Sequence, residues 1–449
     1  MLDKTKTPTS KRPRPTKHQW FDPWLIARGE PLKHLVRQVT ALAQSQEQRQ
    51  RARRPDDQRN HLRIIEGVVC NLAYAVISPP PTGWLAINTR NGERGKGRYD
   101  NRAFGTTYRN LLALLEANGL MQRQISNAIR GEVSSIKPTR RFADMVAADI
   151  TFAHFARDPA QELLLLARVT RKQSPESRKW TKTKKLEDYA DTPVTLSYRA
   201  AVRDLNAFLD SADISFIDDG LEPAVDPHGR TLTRRFTVFD AQEHRYDQVG
   251  RLFGCFWMTI KRERRKQIRI DGEPVAELDY STMFTRLAYA HLRLTAPEGD
   301  LYAIPGLEAH RDGVKLAMNC FLFDETPKRR TWPKDMSLTA ETGAEATEED
   351  TLKGKLPDRW TVRKTKKAIL AVHPALERAW GRGLGYRLMW QESEILLAVL
   401  RELMEQNVPA LGLHDGLLVP SSKTEIALKA MREQSKAIVG VPLPCSRKA

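Results

Sequence analysis

Two short apolar runs, Ala410–Leu413 and Leu417–Pro420, flank the triplet His414-Asp415-Gly416. Asp-Gly between apolar segments is a strong hairpin signal, because glycine accepts the turn geometry that joins two twisted strands. A tight hairpin commits this part of the chain to antiparallel sheet, since parallel neighbours need a long crossover. Taken alone, a plain β-turn explains the triplet. It gains meaning if a second strand carrying a carboxylate is the hairpin's sheet neighbour.

The segment Pro274-Val-Ala-Glu-Leu-Asp-Tyr-Ser281 supplies such a strand. Val275–Leu278 reads as buried strand ending at Asp279. A helix then starts near Ser281 or Thr282 and runs to about Leu294, with Met283, Leu287, Ala290 and Leu294 inward. A carboxylate leaving a core strand toward a helix start can hold Mg²⁺, and an ordinary N-cap or turn aspartate is the plain alternative. A third segment, Arg311–Phe323, is helical in pattern: Val314, Ala317, Met318, Phe321 and Leu322 make the buried side. Arg311 and Lys315 stand one turn apart on it, an arrangement that suits a triphosphate and equally describes a solvated basic face.

Charge narrows the partners. The 449 residues carry 73 Lys and Arg against 55 Asp and Glu, a formal net charge of +18. That surplus points to a polyanion, nucleic acid before an anionic membrane, or to a generally basic surface. Hydrophobic residues at 41% exclude a wholly disordered chain. Cys70, Cys255, Cys320 and Cys445 lie far apart without zinc spacing and read as reduced thiols. The basic, Pro- and Thr-rich start is no signal peptide, and the longest uncharged run, Gly67–Asn88, is broken by Pro79-Pro80-Pro81. A soluble, cytoplasmic protein that does not enter membranes is expected.

Four regions follow. Residues 1–60 form a basic, partly disordered segment, with helical periodicity from Leu32 to Gln50. Residues 61–170 read as helical. There the Tyr108–Asn118 helix, a basic β-like piece through Ile129–Gly131 and Ser134–Arg141, and a helix over Phe142–Phe155 suit either a winged-helix-like module or an ordinary helical subdomain. Residues 171–249 are a linker followed by a helix and a strand: Arg168–Lys185 reads as a polar linker, Leu196–Leu209 as helix and Thr231–Phe239 as strand. Residues 250–449 carry the three segments above. Glycine-bearing Arg90–Arg102 reads as a basic loop, and Ser337–Thr351 as an acidic one.

Asp279-Tyr280-Ser281 with Arg286, then Arg311 and Lys315 on one helix, then His414-Asp415 in a hairpin: in that order these resemble motifs A, B and C of the family A DNA polymerases and their relatives, the phage-type single-subunit RNA polymerases. Gly299-Asp-Leu-Tyr302 resembles a segment preceding motif B, Phe323 matches the motif B aromatic, and Gly250-Arg251-Leu252 and Gln391 resemble primer–template contacts. The resemblance spans roughly residues 250–449.

It implies an α+β right-hand polymerase: an antiparallel palm sheet, helical fingers and a mostly helical, basic N-terminal or thumb half. It implies nucleotidyl transfer from dNTPs to a primer 3′ end, without proofreading, with two Mg²⁺ ions about 3.5–4 Å apart and Mn²⁺ as the substitute. Asp279, Asp415 and the Tyr280 carbonyl are the implied metal ligands. Arg311 and Lys315 would neutralise phosphates, and Lys315 could protonate the leaving pyrophosphate. Phe284 stands where the family's gating Glu stands and would exclude a ribose 2′-hydroxyl by bulk. Asn319 and Phe323 complete the nucleotide pocket. Arg251, Arg286, Gln391 and His414 would touch the primer–template, with Lys261, Arg262, Arg264 and Arg265 gripping phosphates. The partners expected are a DNA primer–template, with an RNA template admissible. The alternatives are an RNA-synthesising primase or single-subunit RNA polymerase relative, and a non-catalytic DNA-binding replication initiator.

Overall fold

The computed structural model describes residues 18–47, 51–88, 97–105, 107–126, 132–173, 180–239, 243–325, 328–333 and 351–448. Most of the basic N-terminal tail, residues 90–96 of the glycine-bearing loop, Ile129–Gly131 and most of the acidic loop lie outside them. The chain is mixed α/β and divides into two compact units, residues 1–161 and 162–449.

The first unit is built on two helices, α1 (Glu30–Ser45) and α2 (Pro55–Ile77), preceded by strands β1 (Gln19–Trp20) and β2 (Leu25–Ala27). Both helices carry a proline in their first two positions, Pro31 and Pro55, where its missing N–H costs nothing. Leu35 and Val39 of α1 and Ile64, Val68 and Leu72 of α2 are fully or almost fully buried in one apolar cluster. The uncharged run thus begins as the second half of a core helix, and no helix among the described residues is long and apolar enough to cross a membrane. After β3 (Leu85–Ala86) come α3 (Thr107–Ala117), β4 (Met121–Gln124), β5 (Ser135–Pro138), α4 (Arg140–Met145) and β6 (Phe155–Arg157). A small sheet runs β1-β3-β5-β4, and β2 pairs with β6. The expected β-like piece forms β5, antiparallel to β4, while its Ile129–Gly131 part lies outside the described residues. The expected helix over Phe142–Phe155 does not form: α4 ends at Met145 and Phe155 enters a strand. The region is mixed rather than purely helical.

The second unit opens with β7 (Leu164–Gln173) and β8 (Trp180–Leu186), an antiparallel pair where a linker was expected. Charge hid the alternation: Leu164 and Leu166 face the core while Thr170 and Thr183 pair across the strands. Helix α5 (Pro193–Ser211), capped by Thr192, leads to β9 (Ile214–Phe216), β10 (Thr233–Phe239) and β11 (Val249–Phe253). One sheet runs β11-β10-β7-β8, with β10 parallel to β7. Short helix α6 (Phe256–Thr259) then precedes β12 (Ile268–Ile270) and β13 (Glu273–Tyr280).

Helices α7 (Met283–His291), α8 (Arg311–Phe323), α9 (Val362–Val372) and α10 (Leu384–Glu405) follow, then β14 (Leu411–Leu413), β15 (Gly416–Pro420), α11 (Thr424–Val439) and β16 (Cys445–Arg447). The second sheet runs β14-β15-β13-β12-β9, with β16 also on β13, and every pairing in it is antiparallel. Its position is set by burial. Ala276, Leu278 and Tyr280 of β13 face the core, so by the two-residue period of a strand Glu277 and Asp279 share the opposite face. Strand β15 is buried at all five positions. Helix α10 packs against α7, α8, α11 and β11. Trp257, fully buried, donates its indole N–H to the Gly412 carbonyl at 3.0 Å and pins β14.

Candidate active site

The hairpin and β13 meet as the sequence requires. Asp279 stands opposite Gly416 in the β13–β15 register, and the Tyr280 amide donates to the Asp415 carbonyl at 3.1 Å. His414 and Asp415 are the two turn residues, with His414 in the left-handed region at φ 49°. A Cβ on Gly416 would lie 2.3 Å from the Leu278 carbonyl oxygen and 2.9 Å from Asp279 Oδ1. Only glycine lets the hairpin approach β13 this closely.

Burial, and then the nearby charge of Asp415, push the Asp279 carboxyl up to about 6, while the ammonium groups of Lys448 and Lys315 work in the opposite direction. Asp415, Lys448 and Lys315 are thus each within electrostatic reach of Asp279. Lys448, which sequence reasoning missed, places Nζ 2.9 Å from Asp279 Oδ2 and 2.9 Å from Glu277 Oε1. Strand β16, which ends one residue before it, pairs with β13 and so delivers Lys448 to the carboxylate face. Asp279 Oδ1 is buried and accepts no hydrogen bond. A buried, donor-free carboxylate oxygen beside a second carboxylate fits a hard cation, and Mg²⁺ completes its shell with water and phosphate oxygens. Among the described residues no group of three or more His, Cys, Asp or Glu side chains could hold a metal ion.

Helix α8 presents Lys315 to this pair. Arg311, at its first turn, is engaged by Asp300, Nε to Oδ2 at 2.6 Å and Nη2 to Oδ1 at 3.1 Å, over the ring of Tyr302. That pair is half exposed, and an exposed pair is worth little, so an anion can take the guanidinium over at small cost. Burial pushes the Tyr302 hydroxyl up to about 12, and the charges of Asp415 and Asp300 add to this. The segment before α8 therefore reaches toward the carboxylate pair. Arg286 donates to Thr282 Oγ1 and to the Gly299 carbonyl, joining the start of α7 to the same segment.

Phe284 meets Phe323 at 5.8 Å between ring centres, Phe323 meets Tyr386 at 5.1 Å, and the Arg251 guanidinium lies 5.7 Å from the Phe284 ring. The structure brings these three sequence-selected side chains together. Asn319 Oδ1 on α8 and Gln391 Oε1 on α10 are both buried acceptors with no donor. His414 lies edge-on to Phe253, 5.3 Å away.

Several expected nucleic-acid contacts are placed elsewhere. Arg251 is buried and bonded to the fully buried Glu392, Nε to Oε2 at 2.6 Å, so it ties β11 to α10 rather than facing a ligand. Arg264 is buried against Asp219, with two contacts at 2.7 Å, and also donates to the carbonyls of Pro223 and Leu221. Arg265 donates to the Trp257 carbonyl, and burial lowers its guanidinium from the ordinary value. The basic run is a 3₁₀ turn with these two arginines turned inward, leaving Lys261 and Arg262 exposed.

The chain matches no protein-family model, and no curated protein is significantly similar to it in sequence.

Proposed function

We propose that the chain is a template-directed DNA polymerase of the family A type, adding dNTPs to a primer 3′ end. One observation carries the reading: Asp279 and Asp415, far apart in sequence, stand side by side at the end of an antiparallel sheet, with Lys315 of the Arg311–Phe323 helix beside them. On this reading the sheet is the palm and α8 the fingers helix.

Mg²⁺ held here would supply the positive charge that activates a primer hydroxyl and stabilises a leaving pyrophosphate. Asp279 and Asp415 would hold it, Asp279 through Oδ1, since Lys448 occupies Oδ2. Lys315 and Arg311 neutralise the β and γ phosphates, Arg311 exchanging Asp300 for phosphate oxygens. Lys315 would pass a proton to the leaving group. On this reading Phe284, its ring 5.8 Å from that of Phe323, would exclude a ribose 2′-hydroxyl by bulk.

The test is primer extension with Mg²⁺ on DNA and RNA templates. The wild type is expected to extend with dNTPs and Asp415→Asn to give no product. Phe284→Gly is expected to admit rNTPs. Exclusive use of rNTPs by the wild type would move the reading to an RNA polymerase. One observation favours the non-catalytic initiator: Lys448 already supplies Asp279 with a cation. That rival wins if Asp279→Asn and Asp415→Asn change no activity.

A further inference from the structure

Five arginines from three separated stretches of the second unit line one cleft of about 770 Å³. Arg245 comes from the loop before β11, Arg293 from just past α7, and Arg378, Arg382 and Arg387 from the approach to α10 and its first turn. Asp247 is the one carboxylate in the lining. It is bonded to Arg245 at 2.6 Å and lies 3.9 Å from Arg387. Arg293, Arg378 and Arg382 have no ion-pair partner among the described residues. Burial and the charge of Arg387 hold His291, on the same wall, below its ordinary range, as expected where cations crowd.

Like charges gathered in a concavity oppose folding and raise the local concentration of anions. Guanidinium forks match phosphate oxygens in pairs, which selects a phosphate ligand over a diffuse counter-ion. Asp247 Oδ1 and Gln248 Oε1, also in the lining, are buried acceptors without donors. Base N–H groups would satisfy them, and inorganic phosphate at neutral pH offers little to do so. Helix α7 connects the cleft to the carboxylate pair. It starts beside Asp279 and ends at His291, nine residues or about 13 Å later.

We propose that this cleft grips a single nucleic-acid strand by its phosphodiester backbone. It lies three or four stacked nucleotides from the Asp279–Asp415 pair, at about 3.4 Å each. The distance to the reacting end rests on the polymerase reading; the grip itself does not.

The test is fluorescence anisotropy of a labelled oligothymidylate with the full chain in EDTA, so that metal and catalysis play no part. Arg378→Glu/Arg382→Glu is compared with Lys429→Glu/Lys436→Glu, an equal charge change on α11. The cleft variant is expected to bind at least tenfold more weakly, with a log affinity–log salt slope shallower by about 1.4, roughly 0.7 for each phosphate left without its arginine. The α11 variant should bind nearly as the wild type does. The single variants Arg293→Gln, Arg378→Gln and Arg382→Gln should each flatten the slope by a smaller step, with melting temperatures no lower than the wild type's. Equal losses in both double variants, or an unchanged slope in the single variants, would overturn the proposal. Displacement of the oligonucleotide by tripolyphosphate as effectively as by unlabelled strand, weight for weight, would also overturn it. If Asp415→Asn and the wild type both fail to extend a primer while the binding differences hold, the polymerase reading falls and the cleft stands.

Discussion

Asp279 keeps 23% of its side chain exposed and lies between the charge of Asp415 on one side and those of Lys448 and Lys315 on the other. Without metal its carboxyl is raised to about 6 from an ordinary value of 3.8, chiefly by burial. A raised carboxyl favours the fold in its protonated state. Its contribution is complete below about pH 4 and is lost as pH rises through about 6. Asp279→Asn removes that loss. In EDTA at pH 7.5 the variant is expected to be more stable than the wild type by about 2 kcal/mol, with the gap closing toward pH 4. Thermal melts across that range check it. A variant less stable at pH 7.5 would mean that the bond to Lys448 outweighs the crowding of the carboxylates. The same substitution should abolish primer extension, so stability and activity move in opposite directions, as expected of a functional site.

At the scale of elements, the hairpin is held against β13 by an absence of side chain. Gly416→Ala would press a methyl group onto the Leu278 carbonyl and Asp279 Oδ1, at distances no packed Cβ adopts. Relief requires moving backbone, so a loss of about 2–4 kcal/mol is expected by denaturant titration, together with weakened Mn²⁺ binding. A variant of wild-type stability would show that β15 can slide on β13.

The parts of the fold legible in the sequence are those where one force dominates. Val275–Leu278 and Ala410–Pro420 are apolar, buried and bounded by turn chemistry, and both form strands of one antiparallel sheet. The Arg311–Phe323 helix has the bounds its periodicity requires. Legibility fails where side-chain charge masks backbone pairing, as in β7 and β8, and where a basic run reads as facing a ligand. Arg264 is satisfied by Asp219, more than 40 residues upstream, and local sequence carries no sign of that. Lys448 and the cleft arginines escape notice for the same reason: three stretches spread over some 140 residues converge only after folding. Phe142–Phe155 misleads because apolar spacing alone does not separate a short helix from a following strand.

For the whole molecule, the two apolar cores are separate. One draws its residues from Ala27 to Phe155 and the other from Leu163 to Leu443, with none shared. Each unit holds the contacts that make it fold, so differential scanning calorimetry is expected to resolve two transitions. Low-salt buffer should lower the one belonging to residues 162–449, where the arginine cleft repels itself, and added oligonucleotide should raise it. A single transition unaffected by oligonucleotide would count against both statements.

The register of β15 on β13 has one more consequence. It sets the spacing of Asp279 and Asp415 by main-chain hydrogen bonds and a glycine contact, not by the fit of neighbouring side chains. Such a gauge is insulated from its surroundings: the apolar residues behind it can be exchanged for others of similar volume without altering the gap between the carboxylates.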